Sequence, residues 1–206
     1  MKAKDRRRQL LDAAAGCFAK YGYRGTTTAR IADRAGVSEP IIYRHFRNKH
    51  ELFIALIEKV ADDVFNNWQK AMRTASSPLD KLKVLLYQNP ATSDPWTASV
   101  YQLLFHAQTE TSDPVIQQAI RDHYDRYVKA LGSVMAEAQA AGQIRRDVPA
   151  EWLAWQILHA AVGFAMVRPL KIPSHANLQF VQGTIRLLVE LLTRDVPSTN
   201  ENRPDL

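Results

Sequence analysis

Residues 27–49 contain a dense set of side chains able to bind a nucleic acid. Ile42 and Phe46 are four residues apart, so on a helix they share one apolar face and are expected to be buried. The opposite face then presents Glu39, Ile41, Arg44 and His45, with Tyr43 at its edge. A guanidinium on such a face can read a guanine through two hydrogen bonds, and hydroxyl groups can bind phosphate. Tyr43 could also be only a core aromatic, and His45 only a surface histidine.

The positive charge of the chain is concentrated in the same region. Residues 1–60 hold 13 Lys or Arg and 6 Asp or Glu, whereas residues 61–206 hold 14 and 15. This asymmetry indicates a polyanionic partner, either a nucleic acid or an anionic membrane, with a well-solvated surface as the alternative. The basic run Arg6–Arg8 could touch phosphates or only keep this end soluble.

Short helices must position these side chains. Gly22 is expected to end a first, amphipathic helix. Thr27 or Thr28 can cap a second helix, Gly36 supplies a turn, and Ser38 can cap a third. Two short helices joined by a glycine turn form a helix-turn-helix, whose second helix enters the major groove of DNA.

The rest of the chain also reads as helical. Asn48 and Glu51 resemble a capping box at the start of a long fourth helix. Capping residues before prolines predict further helix starts, and the later helices are expected near 78–88, 95–109, 114–141, 149–168 and 176–194. No alternating β-branched run predicts a strand. The expected fold class is all-α, with about nine or ten helices.

At these residues the chain resembles the tetracycline-repressor (TetR) family of bacterial transcriptional regulators. The resemblance covers roughly residues 1–55 and rests on Thr27-Thr28, Ile31-Ala32, Ala35-Gly36-Val37-Ser38, Ile42-Tyr43-Arg44-His45-Phe46 and Lys49-His50-Glu51-Leu52. It implies a ligand-responsive repressor that binds a palindromic DNA operator as a homodimer. A single cysteine separately favours a reducing, cytoplasmic location. Residues 1–50 would form the three-helix DNA-binding domain and 51–194 a helical domain for effector binding and dimerisation. The tail, 195–206, is expected to be disordered.

The resemblance also implies a role for each residue of the DNA-binding region. Threonine hydroxyls at the start of the second helix and the Tyr43 hydroxyl would bind phosphate, as would the Lys49 ammonium. Arg44 would read a guanine, and Ile41 could meet a thymine methyl group. His45 would contact the backbone or a base edge. The full set assigned to DNA is Thr27, Thr28, Ser38, Glu39, Pro40, Ile41, Tyr43, Arg44, His45 and Lys49.

Two residues of that set depart from the pattern of the family. Pro40 stands where many members have glycine, which changes how closely the backbone can approach DNA. Glu39 places an acid near the expected phosphates. Its carboxylate either accepts from a cytosine amine or braces Arg44, and the sequence leaves both alternatives open.

Aromatic side chains interspersed with polar groups are frequent in residues 75–170. A largely apolar cavity with a few polar groups is the usual form of a small-molecule site, although most single aromatics here should be core. The predicted ligand pocket consists of Trp96, Tyr101, Gln102, Phe105, His106, Tyr124, Trp155 and His159. Small residues in 159–166 and leucines in 187–192 predict a dimer interface formed by Trp155, His159, Val162, Gly163, Met166, Leu187 and Leu191.

Other function classes find less support in the sequence. No HExxH, GxSxG or glycine-rich phosphate loop predicts an enzyme, and we expect no cofactor and no metal. Cys17 is the single cysteine, so no intrachain disulfide can form. The longest apolar stretch, Trp152–Val167, is shorter than the ~20 residues that a membrane span needs. A nucleoid-type DNA binder would lack both an effector cavity and a sequence preference.

Overall fold

The computed structural model describes residues 3–88, 101, 103–105, 107–109, 112–175 and 177–194. No strand occurs in these ranges, and the all-α prediction is confirmed. The described residues between 101 and 109 are helical, whereas the predicted helix start at Asp94-Pro95 and the tail 195–206 lie outside the described residues. The other elements are α1 (Ala3–Gly25), α2 (Thr28–Ala35), α3 (Glu39–Tyr43), α4 (Lys49–Met72), α5 (Pro78–Tyr87), α6 (Pro114–Ala140), α7 (Ala150–Val167), a 3-10 helix (Arg168–Leu170) and α8 (Leu178–Thr193).

Local capping explains where the short helices begin. The Thr27 hydroxyl accepts from the amide three residues later at 3.2 Å, and the Asn48 side chain does the same for Glu51 at 2.8 Å. The Glu51 carboxylate reaches back to the Arg47 amide at 2.7 Å, one residue earlier than the reciprocal bond of a capping box. Ser38 occupies the N-cap position of α3, but its side chain makes no capping hydrogen bond.

Gly22 interrupts α1 as expected, although the helix resumes for one further turn. Its backbone has φ 68° and ψ 176°, a conformation that is open essentially only to glycine. The turn after it brings Tyr23 into the core, where the tyrosine ring stacks against Phe18 and meets Phe53 edge-on. The break in α1 therefore determines how the first helix is attached to α4.

The first four helices share one apolar core. Gln9 on α1 donates to the Ala35 carbonyl at the end of α2 at 2.9 Å, which joins these helices at their surface. The core below is formed by fully buried side chains from all four helices, among them Leu10, Phe18, Ile31, Ile42, Phe46, Leu52, Phe53 and Leu56. Since α3 has only five residues, it depends on this packing for its stability.

The apolar core of the first helices continues into the rest of the molecule. Tyr101, Leu104, Ile116 and Ala165 belong to the same contiguous cluster as the buried residues of α1 to α4. A second cluster is built by α4, α5, α6, α7 and α8. Because α4 contributes to both clusters, the predicted domain boundary at residue 50 falls at the start of a helix that belongs to both parts. That boundary stays a prediction.

Among the described residues, one helical segment has the length and composition of a membrane span. This segment is Ala150–Leu170, and its mean hydropathy is 1.2. It extends beyond both ends of the apolar stretch Trp152–Val167. Core helices of water-soluble proteins meet the same criterion. Here one side of α7 packs against α6 and is buried through Leu153, Ala154, Ile157, Leu158, Ala161 and Ala165.

We predict that Gly22→Ala destabilises the protein. A side chain in this backbone region costs of order 1–3 kcal/mol, so the free energy of unfolding should fall by about that amount in denaturant titrations. Gly25→Ala is the matched control, because its added Cβ meets only the Tyr21 Cβ at an ordinary 3.5 Å. Equal losses in the two variants would contradict a conformational requirement at Gly22.

Candidate nucleic-acid interface and ligand cavity

Helix α3 has one buried and one exposed side, as its sequence predicts. Ile42 and Phe46 are buried in the core. Tyr43 is 52% exposed, and Arg44 is exposed beside it. Within the described residues, the Arg44 guanidinium makes no hydrogen bond or ion pair. The side of α3 that faces solvent therefore offers a guanidinium and a phenol.

The turn between α2 and α3 sets the angle of this exposed side. Gly36 has φ 65°, and its amide and that of Val37 donate to the Asp33 and Ala32 carbonyls at 3.1 and 3.0 Å. This pairing satisfies the last carbonyls of α2 and needs a left-handed residue, which glycine adopts without strain. Val37 packs against the core, so the turn holds the two helices together.

Three side chains form a hydrogen-bonded network across α2 and α3. Thr28 Oγ1 donates to Glu39 Oε1 at 2.5 Å, and the Tyr43 hydroxyl lies 3.1 Å from Thr28 Oγ1 and 3.5 Å from Glu39 Oε1. A carboxylate can only accept, so Thr28 donates its proton to Glu39, and the Tyr43 hydroxyl donates either to Thr28 Oγ1 or to Glu39. Glu39 therefore engages two of the residues assigned to phosphate, rather than bracing Arg44.

Lys49 has a structural task in addition to the phosphate role assigned to it. Its ammonium donates to the Tyr23 and Thr26 carbonyls at 3.0 Å each, and it lies 4.5 Å from the centre of the Tyr23 ring. These contacts fasten the loop that precedes α2 to the start of α4. The contact between Lys49 and a phosphate stays a prediction.

Further residues of the predicted DNA surface lie in or around α3 and differ in their solvent exposure. Pro40 is exposed, whereas Ile41 and His45 are half-buried. Arg7 of α1 places its guanidinium 4.9 Å from the centre of the Phe46 ring. Arg30 donates to the Gly25 carbonyl at 2.9 Å. Cationic side chains of α1 and α2 therefore lie on the same end of the molecule as Arg44.

The structure divides the predicted ligand-pocket residues between two places. Tyr101 and Tyr124 both contact His123 of α6, with ring centres 6.1 and 5.7 Å away. Trp155 and His159 instead lie against each other on α7, at 5.6 Å. Of the two cavities described next, His159 lines one, whereas Tyr101, Tyr124 and Trp155 line neither, and the predicted pocket stays a prediction. The predicted residues Trp96, Gln102 and His106 are outside the described residues, and Phe105 is 38% exposed.

The first cavity is a cleft of about 250 Å³ between α4 and α6. His123 lines it, together with apolar groups from both helices and a charged margin. Its lining residues are Ile54, Ile57, Glu58, Ala61, Ala119, Asp122, His123 and Arg126. The second, of about 270 Å³, lies between α7 and α8 and is almost wholly apolar, with His159, Gly163, Phe164, His175 and Phe180 in its wall.

His123 and Tyr127 are polar groups that the sequence analysis did not assign to a site. They lie one turn apart on α6, 4% and 2% exposed, with ring centres 4.8 Å apart. Both His123 nitrogens and the Tyr127 hydroxyl are buried without a hydrogen-bond partner among the described residues. Burial, with Arg126 nearby, lowers the pKa of His123 to about 4, so its imidazole is neutral at pH 7. Their spacing of four residues, which places both side chains on one face of a helix, is the sequence feature that could have identified them as a pair.

The predicted dimer residues lie on α7 and α8, at the surface. Leu187 is 56% exposed and Leu191 44%, while Val162 and Met166 are half-buried. Trp152, which was not assigned to the interface, is 64% exposed on α7. Large exposed apolar side chains on α7 and α8 are what the predicted dimer interface requires, and the interface stays a prediction.

Known proteins resemble this chain in two ways: a family model matches its N-terminal helices, and individual relatives match most of its length. The family model described as "Bacterial regulatory proteins, tetR family" matches residues 10–56, which include α2 and α3. The transcriptional regulator TtgR of Pseudomonas putida is 30% identical over 152 residues, 69% of this chain and 72% of TtgR. The transcriptional activator FasR of Mycolicibacterium smegmatis is 28% identical over 156 residues, 66% of this chain and 71% of FasR.

A solved structure extends the similarity to nearly the whole chain. The transcriptional regulator FadR from Bacillus subtilis, in complex with stearoyl-CoA, superimposes with a TM-score of 0.76 at 20% identity. The alignment covers 90% of this chain and 98% of that one. At this level of identity the superposition establishes a shared fold.

We predict that Glu39→Gln tightens binding to a random-sequence DNA duplex several-fold. Glutamine keeps an oxygen that accepts from Thr28 but removes the negative charge beside the two hydroxyls. The slope of log affinity against log salt should steepen by about 0.9, as for one further neutralised phosphate. Fluorescence anisotropy at several salt concentrations measures both quantities.

The control is Glu151→Gln, which makes the same charge change on an exposed residue in the first turn of α7. If both glutamine variants bind the duplex equally, net charge alone explains the effect and Glu39 has no local influence.

Proposed function

The chain belongs to the tetR family of bacterial regulatory proteins, and on that basis we propose that it is a ligand-responsive repressor acting as a homodimer on a palindromic operator. The observation that carries the proposal is the exposed side of α3, where Arg44 and Tyr43 face solvent while Ile42 and Phe46 anchor the helix. A helix anchored in this way can enter the major groove without rearranging the core.

We assign sequence reading to Arg44 and positioning to the hydroxyl groups of the Thr28–Tyr43 network. A guanidinium without an internal partner can form both hydrogen bonds to a guanine at little cost. The Thr28 and Tyr43 hydroxyls exchange their bonds to Glu39 for bonds to phosphate as the protein meets DNA. Phosphate contacts fix the register of the helix, and base contacts supply the sequence preference.

The apolar surface of α7 and α8 supports a twofold dimer. Trp152, Leu187 and Leu191 would lose their contact with water against the same residues of a second copy, as an isologous interface requires. Such a dimer presents two copies of α3, which fit two half-sites about 34–36 Å apart on one face of DNA.

Direct contacts connect the DNA-binding helices to the effector half. His50 Nε2, on α4, lies 3.2 Å from Asp113 Oδ2, and Asp113 also caps α6. Tyr23 of α1 stacks on His50 at 6.0 Å. We infer that a ligand which shifts α6 changes the position of α4, and therefore the spacing of the two copies of α3. This shift requires the ligand to bind the two conformations with different affinities.

The remaining parts of the proposal rest on similarity. FadR binds stearoyl-CoA, which supports a small-molecule effector for this chain without identifying it. FasR is named an activator, so reporter transcription with and without the protein tests the sign of regulation. The proposed location is the cytoplasm, where the operator DNA is, and we propose no enzymatic activity and no membrane partner.

We predict that Arg44→Ala relaxes sequence preference at one base pair of each half-site. Selection of bound duplexes from a random pool identifies the operator, and the variant should then lose about 1–3 kcal/mol of discrimination at that position. Tyr43→Phe is the comparison, because loss of a phosphate contact weakens all duplexes alike. If both variants lose specific and random DNA equally, the division of roles is wrong. No enriched palindrome for the unmodified protein would favour a nucleoid-type binder.

We predict that Leu187→Glu converts the dimer to a monomer. A carboxylate on the twofold interface would be buried opposite its own copy, which like-charge repulsion and desolvation both oppose. Sedimentation velocity at micromolar concentration measures the change. Gln182→Glu adds the same charge on the exposed surface of α8 and should leave the dimer intact. A monomer for the unmodified chain would refute the interface.

A further inference from the structure

The interior of the effector half contains an unusual concentration of polar atoms without partners. His123 contributes two nitrogens and Tyr127 one hydroxyl, all buried and all without a hydrogen bond in the described part of the chain. The Tyr101 hydroxyl is near enough to influence the pKa of Tyr127, but it lies outside hydrogen-bonding geometry. Leaving such groups unsatisfied costs about 1–3 kcal/mol each, and most buried polar atoms in native proteins are paired. Three such atoms on adjacent turns of one helix indicate that another molecule completes the arrangement.

The chemistry of these groups defines what can complete it. A neutral imidazole offers one N–H donor and one acceptor nitrogen, and a phenol both donates and accepts. The surroundings are aromatic: Tyr127 contacts Phe65 at 4.9 Å and Trp68 at 5.5 Å, and Tyr101 lies edge-on at 6.4 Å. A matching ligand needs a hydroxyl or carbonyl group on an apolar body.

The cleft between α4 and α6 provides access to His123. Its inner wall is apolar, with Ile57 and Ala61 on α4 and Ala119 on α6. Its volume of about 250 Å³ lies just below the usual range of pockets for drug-sized ligands, which begins near ~300 Å³. The cleft therefore suits a small molecule, inserted with its polar group toward the imidazole.

The charged residues of the cleft do not favour an ionised ligand. Arg126 donates to Asp62 at 2.8 Å and covers the Phe65 ring at 4.5 Å, so its charge is already balanced. Glu58 and Asp122 line the cleft and repel anions. Around His123 itself no described residue offers a buried counter-charge, and an isolated charge in such surroundings is strongly disfavoured.

We propose that His123 is the polar anchor of an effector site in the α4–α6 cleft, that Tyr127, whose ring centre lies 4.8 Å from that of His123, supports it from the adjacent turn, and that the effector is a small uncharged molecule bearing a hydroxyl or carbonyl group. This inference rests on the proposed function, since it identifies the site and the chemical class of the ligand that the regulator senses. The position is suited to signalling, because α4 carries the His50 contact to Asp113 and α6 begins at Asp113.

Four probes of similar size test the chemical class. Benzyl alcohol is uncharged, benzoate is anionic and benzylammonium is cationic at neutral pH, and acetophenone supplies a carbonyl without a donor. In protein labelled with ¹⁵N-histidine, benzyl alcohol and acetophenone should shift the His123 ring signals in a saturable way. The His123 signals are assigned by their loss in His123→Phe. No saturable shift with either uncharged probe, or a stronger response to benzoate or benzylammonium, overturns the proposal.

Variants distinguish a ligand anchor from a structural histidine. His123→Phe should weaken benzyl alcohol binding at least fivefold, and Tyr127→Phe should weaken it less because Tyr127 acts through His123; both are followed on other cleft resonances such as the Ala61 and Ala119 methyl groups. Their free energy of unfolding without probe should be equal to or higher than that of the unmodified protein, because each removes unsatisfied buried atoms. Tyr124→Phe is the matched control, since its hydroxyl is not among the unpartnered atoms. Marked destabilisation with unchanged probe binding would assign the two residues a structural role.

DNA binding separates this inference from the proposed function. Saturating benzyl alcohol should lower operator affinity for the unmodified protein but not for His123→Phe, which should bind the operator normally without probe. Intact operator binding together with no probe binding refutes the effector site and leaves the repressor proposal standing. Probe binding without any sequence-selective DNA binding refutes the repressor proposal and leaves the site standing.

Discussion

The burial of Ile42 and Phe46 is the interaction on which the rest of the DNA-binding arrangement depends. A helix of five residues has too few internal hydrogen bonds to persist in water. Ile42 of α3 and Phe46, three residues beyond its end, fix α3 against α1, α2 and α4, while Tyr43 and Arg44 face solvent. The recognition surface is therefore a consequence of core packing rather than an independent feature.

A second constraint acts on the chemistry of that surface. Thr28 and Tyr43 are hydrogen-bonded to Glu39, so in the free protein the two hydroxyls that we propose bind phosphate are satisfied and close to a negative charge. Under the proposed roles, binding to DNA replaces those bonds with bonds to phosphate. On the same proposal, an acid at this place lowers affinity for DNA in general, which makes the interaction depend more on the base contacts that only a correct site supplies.

The two halves of the molecule are coupled because they share structure. Residues of α6 and α7 belong to the same apolar cluster as α1 to α4, and the His50–Asp113 pair bridges α4 and the start of α6. Closely packed interiors shift between discrete arrangements rather than deform gradually. The unpaired polar atoms of His123 and Tyr127 lie between α4 and α6, where a bound molecule can stabilise one arrangement over another.

The sequence by itself determined the helical class, the positions of most helix ends and the buried side of α3. These follow from local rules, namely apolar spacing, capping residues and glycines at positive φ, such as Gly36 in the left-handed helical region and Gly22 in a region open essentially only to glycine. Only the tertiary structure decided that Glu39 contacts Thr28, that Lys49 binds the loop carbonyls before α2, and that Tyr101 and Tyr124 meet His123 while Trp155 and His159 lie elsewhere. The physical reason is that spacing along a helix specifies which side chains share a face, whereas contacts between helices depend on their relative angles and offsets, which the whole core sets together.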